Sequence, residues 1–277
     1  MSKTLLIISG GAASVDVARR AKDRGHAVVV SDADPQAPAF AFADSCLIAD
    51  VHGAVETAAA AERYSRKIRR IDGVLCTADA VLTTATVADR LRLPGPPLHV
   101  AELVNDRLLI GRCFASAGIA APWHGEIFTP QELQRAMIAR GRDLIVKPVE
   151  NRGPDGAMPL AGVEDFGAAF QRARFHSPSE RVMAQQGLEG PRLHVAALMV
   201  KGVCHVAGSP EKPVADTVSR AASALGVTDG PVVSEIVMYQ GVPHVAEISA
   251  RLDAAAFLDA ATCLALGDEI SPRDLQF

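Results

Sequence analysis

Apolar positions along this chain follow two alternating rhythms. TLLII, residues 4–8, is an unbroken apolar run that leads into Gly10-Gly11. SVDVARRAKDRG, 14–25, follows with apolar positions three and four apart. The first predicts a strand buried on both faces, the second an amphipathic helix. The strand HAVVVSD, the short strand CLIAD, a long Ala-rich helix over 54–67, the strand GVLCTAD and the helix TTATVADRLRL continue the series. Strands separated by single helices predict a parallel α/β sheet, and GPP at 95–97 marks its boundary.

Beyond the boundary the pattern changes. AELVNDRLLIGRCFASAG, 101–118, predicts one helix with Gly118 as its C-cap. PWHGEIFT, a helix around PQELQRAMIARG and the strand DLIVKPV predict a smaller α/β unit. NRGPDGA, 151–157, is a loop of Gly, Pro and charge, and a helix is expected from Val163 to about Phe175. RVMAQQG and RLHVAALMVKGVCHVAG then restore strand character, with Lys201-Gly202 as a turn. The last part predicts a helix, ADTVSRAASALG, and an antiparallel hairpin, GPVVSEIVMYQ with VPHVAEIS, joined at Gln240-Gly241.

Composition narrows the classes. At 277 residues, with 49 % apolar and 22 % charged residues, the chain has the length of two or three domains and ordinary globular character. A net charge of −4 and only 4 % aromatics argue against a nucleic-acid or acidic-membrane partner. No apolar run is long enough to span a bilayer and no secretory leader precedes Gly10, so a cytoplasmic protein is expected. Five cysteines carry no metal-ligand spacing, and Cys46, Cys76 and Cys263 have small or apolar neighbours, which predicts buried reduced thiols.

The candidate chemistry begins at HVAEISARLDAAAF, 244–257, where Glu247, Ser249 and Arg251 occupy every second position. A period of two sends all three to one face of a strand. Glu235, on the other arm of the hairpin, can face Glu247 across the ladder. Two adjacent carboxylates repel unless a cation lies between them, and an oxygen-only set suits Mg²⁺, with Ser249 as a third oxygen and Arg251 on the same anionic ligand. The alternative is that one glutamate faces solvent with Arg251 as its surface ion partner. Lys147 ends a buried strand just before the Gly-rich loop, where a lysine either snorkels to water or supplies a point charge to phosphates cradled by backbone N–H groups. GGAASVD, 10–16, is a strand-to-helix turn with Asp32 and Asp34 downstream; it is not GxGxxG, and a tight packing turn competes with a dinucleotide site there.

Several of these segments together resemble the ATP-grasp superfamily of carboxylate–amine ligases, in order and through most of the chain. Residues 7–50 and 72–95 look like its pre-ATP-grasp domain and NDRLLIGRCFASAGIAAP like its opening helix. DLIVKPVENRGPDGAM resembles the strand and phosphate loop, RVMAQQGLEGPRLHV the adenine hinge, and 224–257 the metal-binding hairpin. The resemblance implies an α/β ATP-grasp fold with a Rossmann-like pre-ATP-grasp domain over 1–97, a small α/β lid over 98–188 and a C-terminal α+β domain over 189–277. It implies ATP and Mg²⁺ as cofactors and a small carboxylate, amino-acid-like, joined to an amine through an acyl phosphate. Lys147 and Arg107 would meet the phosphates under the loop carrying Gly153 and Gly156. Met183, Gln185, Gly187 and Arg192 would line the nucleotide site, Glu235, Glu247 and Ser249 would hold the metal, and Arg251 would stabilise the transferring phosphoryl group. A homodimer through the N-terminal domain is also implied.

The departures from the pattern fall within the same motifs. Arg107 replaces a lysine, Gln185 a hinge glutamate, Arg192 a ribose-binding glutamate and Ser249 a metal-binding asparagine, while Asp253-Ala254 replaces a Gly-rich end. SPEKP, 209–213, is short where a long insertion is usual. A pseudo-ligase that binds a nucleotide or metabolite without turnover is therefore the second reading. A nicotinamide-dependent oxidoreductase using GGAASVD is the third, and it leaves the C-terminal carboxylates unexplained.

Overall fold

The computed structural model describes residues 2–141, 143–150, 155–253 and 256–275. Its strands are β1 (Thr4–Ile8), β2 (Ala27–Asp32), β3 (Ser45–Ile48), β4 (Gly73–Cys76), β5 (His124–Ile127), β6 (Leu144–Pro148), β7 (Met158–Pro159), β8 (Val182–Gln186), β9 (Arg192–Val200), β10 (Val203–Val206), β11 (Gly230–Tyr239) and β12 (Val242–Ser249). The helices are α1 (Ala12–Asp23), α2 (Ala54–Lys67), α3 (Val81–Leu91), α4 (Leu98–Asn105), α5 (Arg107–Ala117), α6 (Pro130–Arg140), α7 (Phe166–Phe175), α8 (Lys212–Ala224) and α9 (Leu258–Ala265). Among the described residues no helix is long and apolar enough to cross a membrane.

The chain forms two compact units: residues 1–102, 195–233 and 249–277 make one, and residues 103–194 and 234–248 the other. The boundary passes through the strands β9, β11 and β12 of an antiparallel sheet ordered β10-β9-β11-β12.

The larger unit holds the parallel sheet β3-β2-β1-β4. All five residues of β1 are buried, as a strand covered on both faces requires. Helix α1 buries Ser14, Val17, Ala18 and Ala21, the spacing of one helical stripe. Val17, Ala18 and Ala21 share a core with Ala260, Ala261 and Ala265 of α9, an element the apolar pattern did not announce. Cys76 and Cys263 are buried thiols as expected, and burial raises the Cys76 pKa to about 11. Cys46 is exposed instead, because β3 is an edge strand with only every second residue covered.

The smaller unit is built on the antiparallel sheet β5-β8-β6-β7, with α6 and α7 packed on it through Leu133, Phe170, Leu144, Val146 and Val182. Helix α5 approaches β5 so closely that a Cβ on Gly111 would lie 1.9 Å from the His124 ring. Both hairpin turns use two residues with positive φ: Lys201 (49°) with Gly202 (77°), and Gln240 (51°) with Gly241 (77°). That combination is the type I′ geometry matching the twist of the flanking strands.

The single helix expected over 101–118 is two helices, α4 and α5, divided at Asp106. The Asp106 carboxylate accepts from the N–H groups of Leu108 and Leu109 at 2.8 and 2.9 Å, which fixes an N-cap in the middle of the apolar pattern. The same carboxylate meets Arg181 at 2.7 Å, and Arg181 also holds Glu126 at 2.7 Å. Replacing Asp106 with Ala should therefore lower stability by about 1–2 kcal/mol, in the range of a lost cap. Asp106→Asn, which keeps the capping oxygen, should lose less; urea unfolding of both variants checks this, and equal losses would place the effect in the ion pair instead.

Candidate functional site

Strand β6 places Lys147 at its buried end, with the side chain 5 % exposed and ion-paired to Glu247. Arg107, the first residue of α5, is 8 % exposed in its side chain and meets the same carboxylate, Nε to Oε2, at 3.4 Å. Its Nη1 also donates to the carbonyls of Pro148 at 3.1 Å and Glu150 at 2.6 Å. The α5 N-terminus is thus tied to the β6 end, where Asp106 and Glu150 form an antiparallel bridge. Burial opposes ionisation of Glu247 most strongly, yet Lys147 and Arg107 together hold its pKa below the usual carboxylate value. Burial, reinforced by Arg107, pulls the Lys147 ammonium below the ordinary lysine value against the attraction of Glu247. Glu235 also acts on Lys147 electrostatically, and its own ion partner is Arg192.

The expected hinge strand lies beside this cluster. Met183 on β8 is the register partner of Lys147, and Gln185 donates from Nε2 to the Ala246 carbonyl at 3.0 Å. Gln185 is buried, so the amide satisfies a backbone acceptor that a carboxylate would repel. Arg107, Phe114, Met183, Gln185, Ala246 and Glu247 line a cleft of about 30 Å³, the volume of roughly one water. Gly187 follows directly, and a Cβ there would lie 2.8 Å from the Asp143 carbonyl oxygen. Gly156 has a φ of 77°, and a Cβ would sit 2.7 Å from His176. Gly153 of the expected phosphate loop and Ala254 lie outside the described residues.

Ser249 and Arg251 belong to the larger unit, and both are held by Asp79. Ser249 donates its hydroxyl to Asp79 Oδ1, and Arg251 Nε lies 3.3 Å from the same oxygen. Strand β12 ends at Ser249, so Arg251 follows the strand instead of continuing its alternation. Asp79 was missed in the sequence, although its position just past the carboxyl end of a parallel strand is where α/β sheets present functional groups. The Gly10-Gly11 turn is closed by Asp32, whose Oδ2 accepts from Gly10 N at 2.6 Å. That supports a packing turn, because the acid a dinucleotide ribose would need is already bonded to the backbone.

The donor set does not fit the three-oxygen magnesium site expected from the sequence. Glu247 is engaged by two cations, Glu235 by a third, and the Ser249 hydroxyl by a carboxylate. No group of three histidine, cysteine or acidic residues suited to a metal occurs among the described residues. The surface-pair alternative differs in its detail too, since among the described residues the ion partner of Arg251 is Asp79 and not a hairpin glutamate.

The fold matches those of known proteins. It superposes on the carboxyaminoimidazole ribonucleotide synthase of Aspergillus clavatus complexed with ATP with a TM-score of 0.79 at 16 % identity, over 100 % of this chain and 80 % of that one. The chain has the ATP-grasp fold. An L-amino acid ligase from Bacillus licheniformis gives a TM-score of 0.73 at 20 % identity, over 96 % of this chain and 74 % of that one. In sequence, 125 residues are 29 % identical to the D-alanine–D-alanine ligase of Methylococcus capsulatus, covering 45 % of this chain and 39 % of the relative. The matched segment thus spans well under half of that ligase. No family model matches the sequence.

Within this ATP-grasp fold the Lys147–Glu247–Arg107 cluster sets a stability that depends on pH. A carboxylate whose folded pKa is depressed contributes stability above its unfolded pKa and loses it as pH falls through the folded one. Glu247→Gln leaves two nearly buried cations without their counter-ion and should cost about 2–3 kcal/mol at pH 7, reduced from the full buried-pair value because Glu247 keeps some water contact. Urea midpoints followed from pH 7 towards pH 3 should show the gap between wild type and variant closing at the acid end. A gap independent of pH would mean that the loss is one of packing.

Proposed function

We propose that this chain is an ATP-dependent carboxylate–amine ligase acting on a small, amino-acid-like acid. The observation that carries the reading is the convergence of buried Lys147 and Arg107 on Glu247, beside the Met183–Gln185 strand, in a chain with the ATP-grasp fold. In the first step an oxygen of the acid bonds to the γ-phosphorus of ATP, and the bridging P–O bond breaks with its electron pair leaving on ADP. In the second, the amine nitrogen attacks the acyl carbon, phosphate leaves, and the nitrogen gives up a proton to solvent. Protein supplies chiefly positioning and positive charge to such transfers. Lys147 and Arg107 would provide that charge at the phosphates; Arg251, to which the resemblance gives the transferring group, is oriented within its own unit by Asp79.

The test is ADP release from ATP with a panel of amino acids offered singly and in pairs. The reading expects turnover that requires both an acid and an amine. Arg251→Ala should cut the rate about 100-fold while ATP still binds, the scale of losing one charge-stabilising donor. ATP binding with no ADP release from any pair would instead favour nucleotide binding without turnover. The pairing of Arg192 with Glu235 favours that second reading, since it engages one of the two carboxylates the ligase pattern supplies.

A further inference from the structure

Strand β4 lies at the edge of the parallel sheet, paired with β1 on one side only. Successive residues of a strand turn their N–H and C=O groups alternately to its two sides. The odd-numbered positions of the β1 segment serve β2, since the Lys3 carbonyl accepts from Ala27 N and Ser9 N donates to the Ser31 carbonyl. The even-numbered ones therefore serve β4, and the register gives them Gly73 and Leu75. Val74 and Cys76 turn outward. In agreement, the Cys76 carbonyl accepts from Leu252 N, outside the sheet, at 2.9 Å. The Cys76 N–H and both backbone groups of Val74 have no hydrogen-bond partner among the described residues. Both residues are only 3 % exposed, and backbone groups left unpaired so far from water are costly.

Val74 and Cys76 border a cavity of about 780 Å³ that lies wholly within the larger unit. That volume is in the range that holds a drug-sized ligand. The chain's own segment on its wall, Pro94-Gly95-Pro96, offers one N–H in three residues and cannot serve as the next strand. The edge lacks an alternation of N–H and C=O at strand spacing, which is what an extended peptide supplies. Val227 and Leu264 make the wall apolar, and its exposed residues carry both signs, Lys201 with Asp229 and Glu269. Asp268, also on the wall, is already paired with Lys3. A free peptide likewise carries one charge of each sign at its ends. The four residues of β4 span about 13 Å, which sets the partner at roughly four residues. No residue given a role in the proposed function lines this cavity.

We propose that the outer edge of β4 binds a short apolar peptide with free ends, taken up as a fifth strand of the parallel sheet. This site is independent of the function proposed above.

Amide NMR of the isotope-labelled full chain, titrated with Ala-Val-Val-Ala, Ala-Leu-Leu-Ala and Ala-Phe-Phe-Ala, tests it. Main-chain pairing gives the affinity in this mode, so at least one of the three should bind saturably. It should shift the Val74 and Cys76 amides and slow their hydrogen exchange about tenfold, the scale of one backbone bond. Of two analogues N-methylated at alternate amides, the one that loses its pairing N–H should bind about tenfold more weakly. Val74→Pro removes a donor at an edge position where no ladder bond is lost, and should weaken binding by about the same factor. No saturable binding by any of the three peptides would overturn the proposal. So would binding that leaves the Val74 and Cys76 amides unmoved, or equal binding by the parent and both methylated peptides. A folded Val74→Pro protein with unchanged affinity would overturn it too, and should that variant not fold, the methylated peptides decide. A peptide capped at both ends that binds as tightly as the free one would overturn it in favour of a segment within a longer chain. None of these results touches the ligase reading, which ADP release decides.

Discussion

The contact on which the candidate site depends is the ion pair between Lys147 and Glu247, shared with Arg107. It ties the end of β6 to β12 and to the first residue of α5. Lys147 and Arg107 are nearly buried, so neither tolerates losing Glu247 as its counter-ion. The same cations that hold Glu247 also restrain the chain leading away from β6, because Arg107 donates to two carbonyls there. Geometry and charge are therefore not separable at this point: the groups that would meet a phosphate also hold three elements in register.

Much of the fold was legible in the sequence because it depends on local chemistry. The Ala-rich helix begins and ends at Ala54 and Lys67 as its pattern said, and both two-residue turns place a Gly at their second position, where positive φ meets no Cβ. Lys147 stood out at the end of an apolar strand, and Glu235 and Glu247 within the two arms of an apolar hairpin, because ionisable residues there are expensive to bury. Asp106 escaped notice because capping runs against an apolar periodicity that continues through it on both sides. Cys46 was misjudged because its neighbours in sequence are apolar, while exposure is decided by β3 lying at the sheet edge. Asp79 was missed for the same kind of reason: its partners, Ser249 and Arg251, lie far along the chain.

Partner choice was the illegible part of the site. The sequence shows an arginine at 192 but not that it pairs with Glu235, and a serine at 249 but not that its hydroxyl goes to Asp79. Both pairings have the same consequence. They spend oxygens that a metal would otherwise claim, one through a cation and one through a carboxylate acceptor.

Counting charge in this way separates two demands that phosphate chemistry usually satisfies with one ion. Binding requires that the polyphosphate meet positive charge in the site. Turnover requires in addition that charge be stabilised where it grows, on the departing β-phosphate oxygen and the equatorial oxygens of the transferring group. Lysine is a point charge and arginine a planar fork, so each can serve a growing negative charge only from a fixed direction. Arg107 has its direction set by two carbonyls and a carboxylate, whereas Arg192 is half exposed and held by a single glutamate. The first can present its charge from one direction only, whereas the second can change direction. Whether a cluster of this kind catalyses or only binds turns on how much of its charge is rigid.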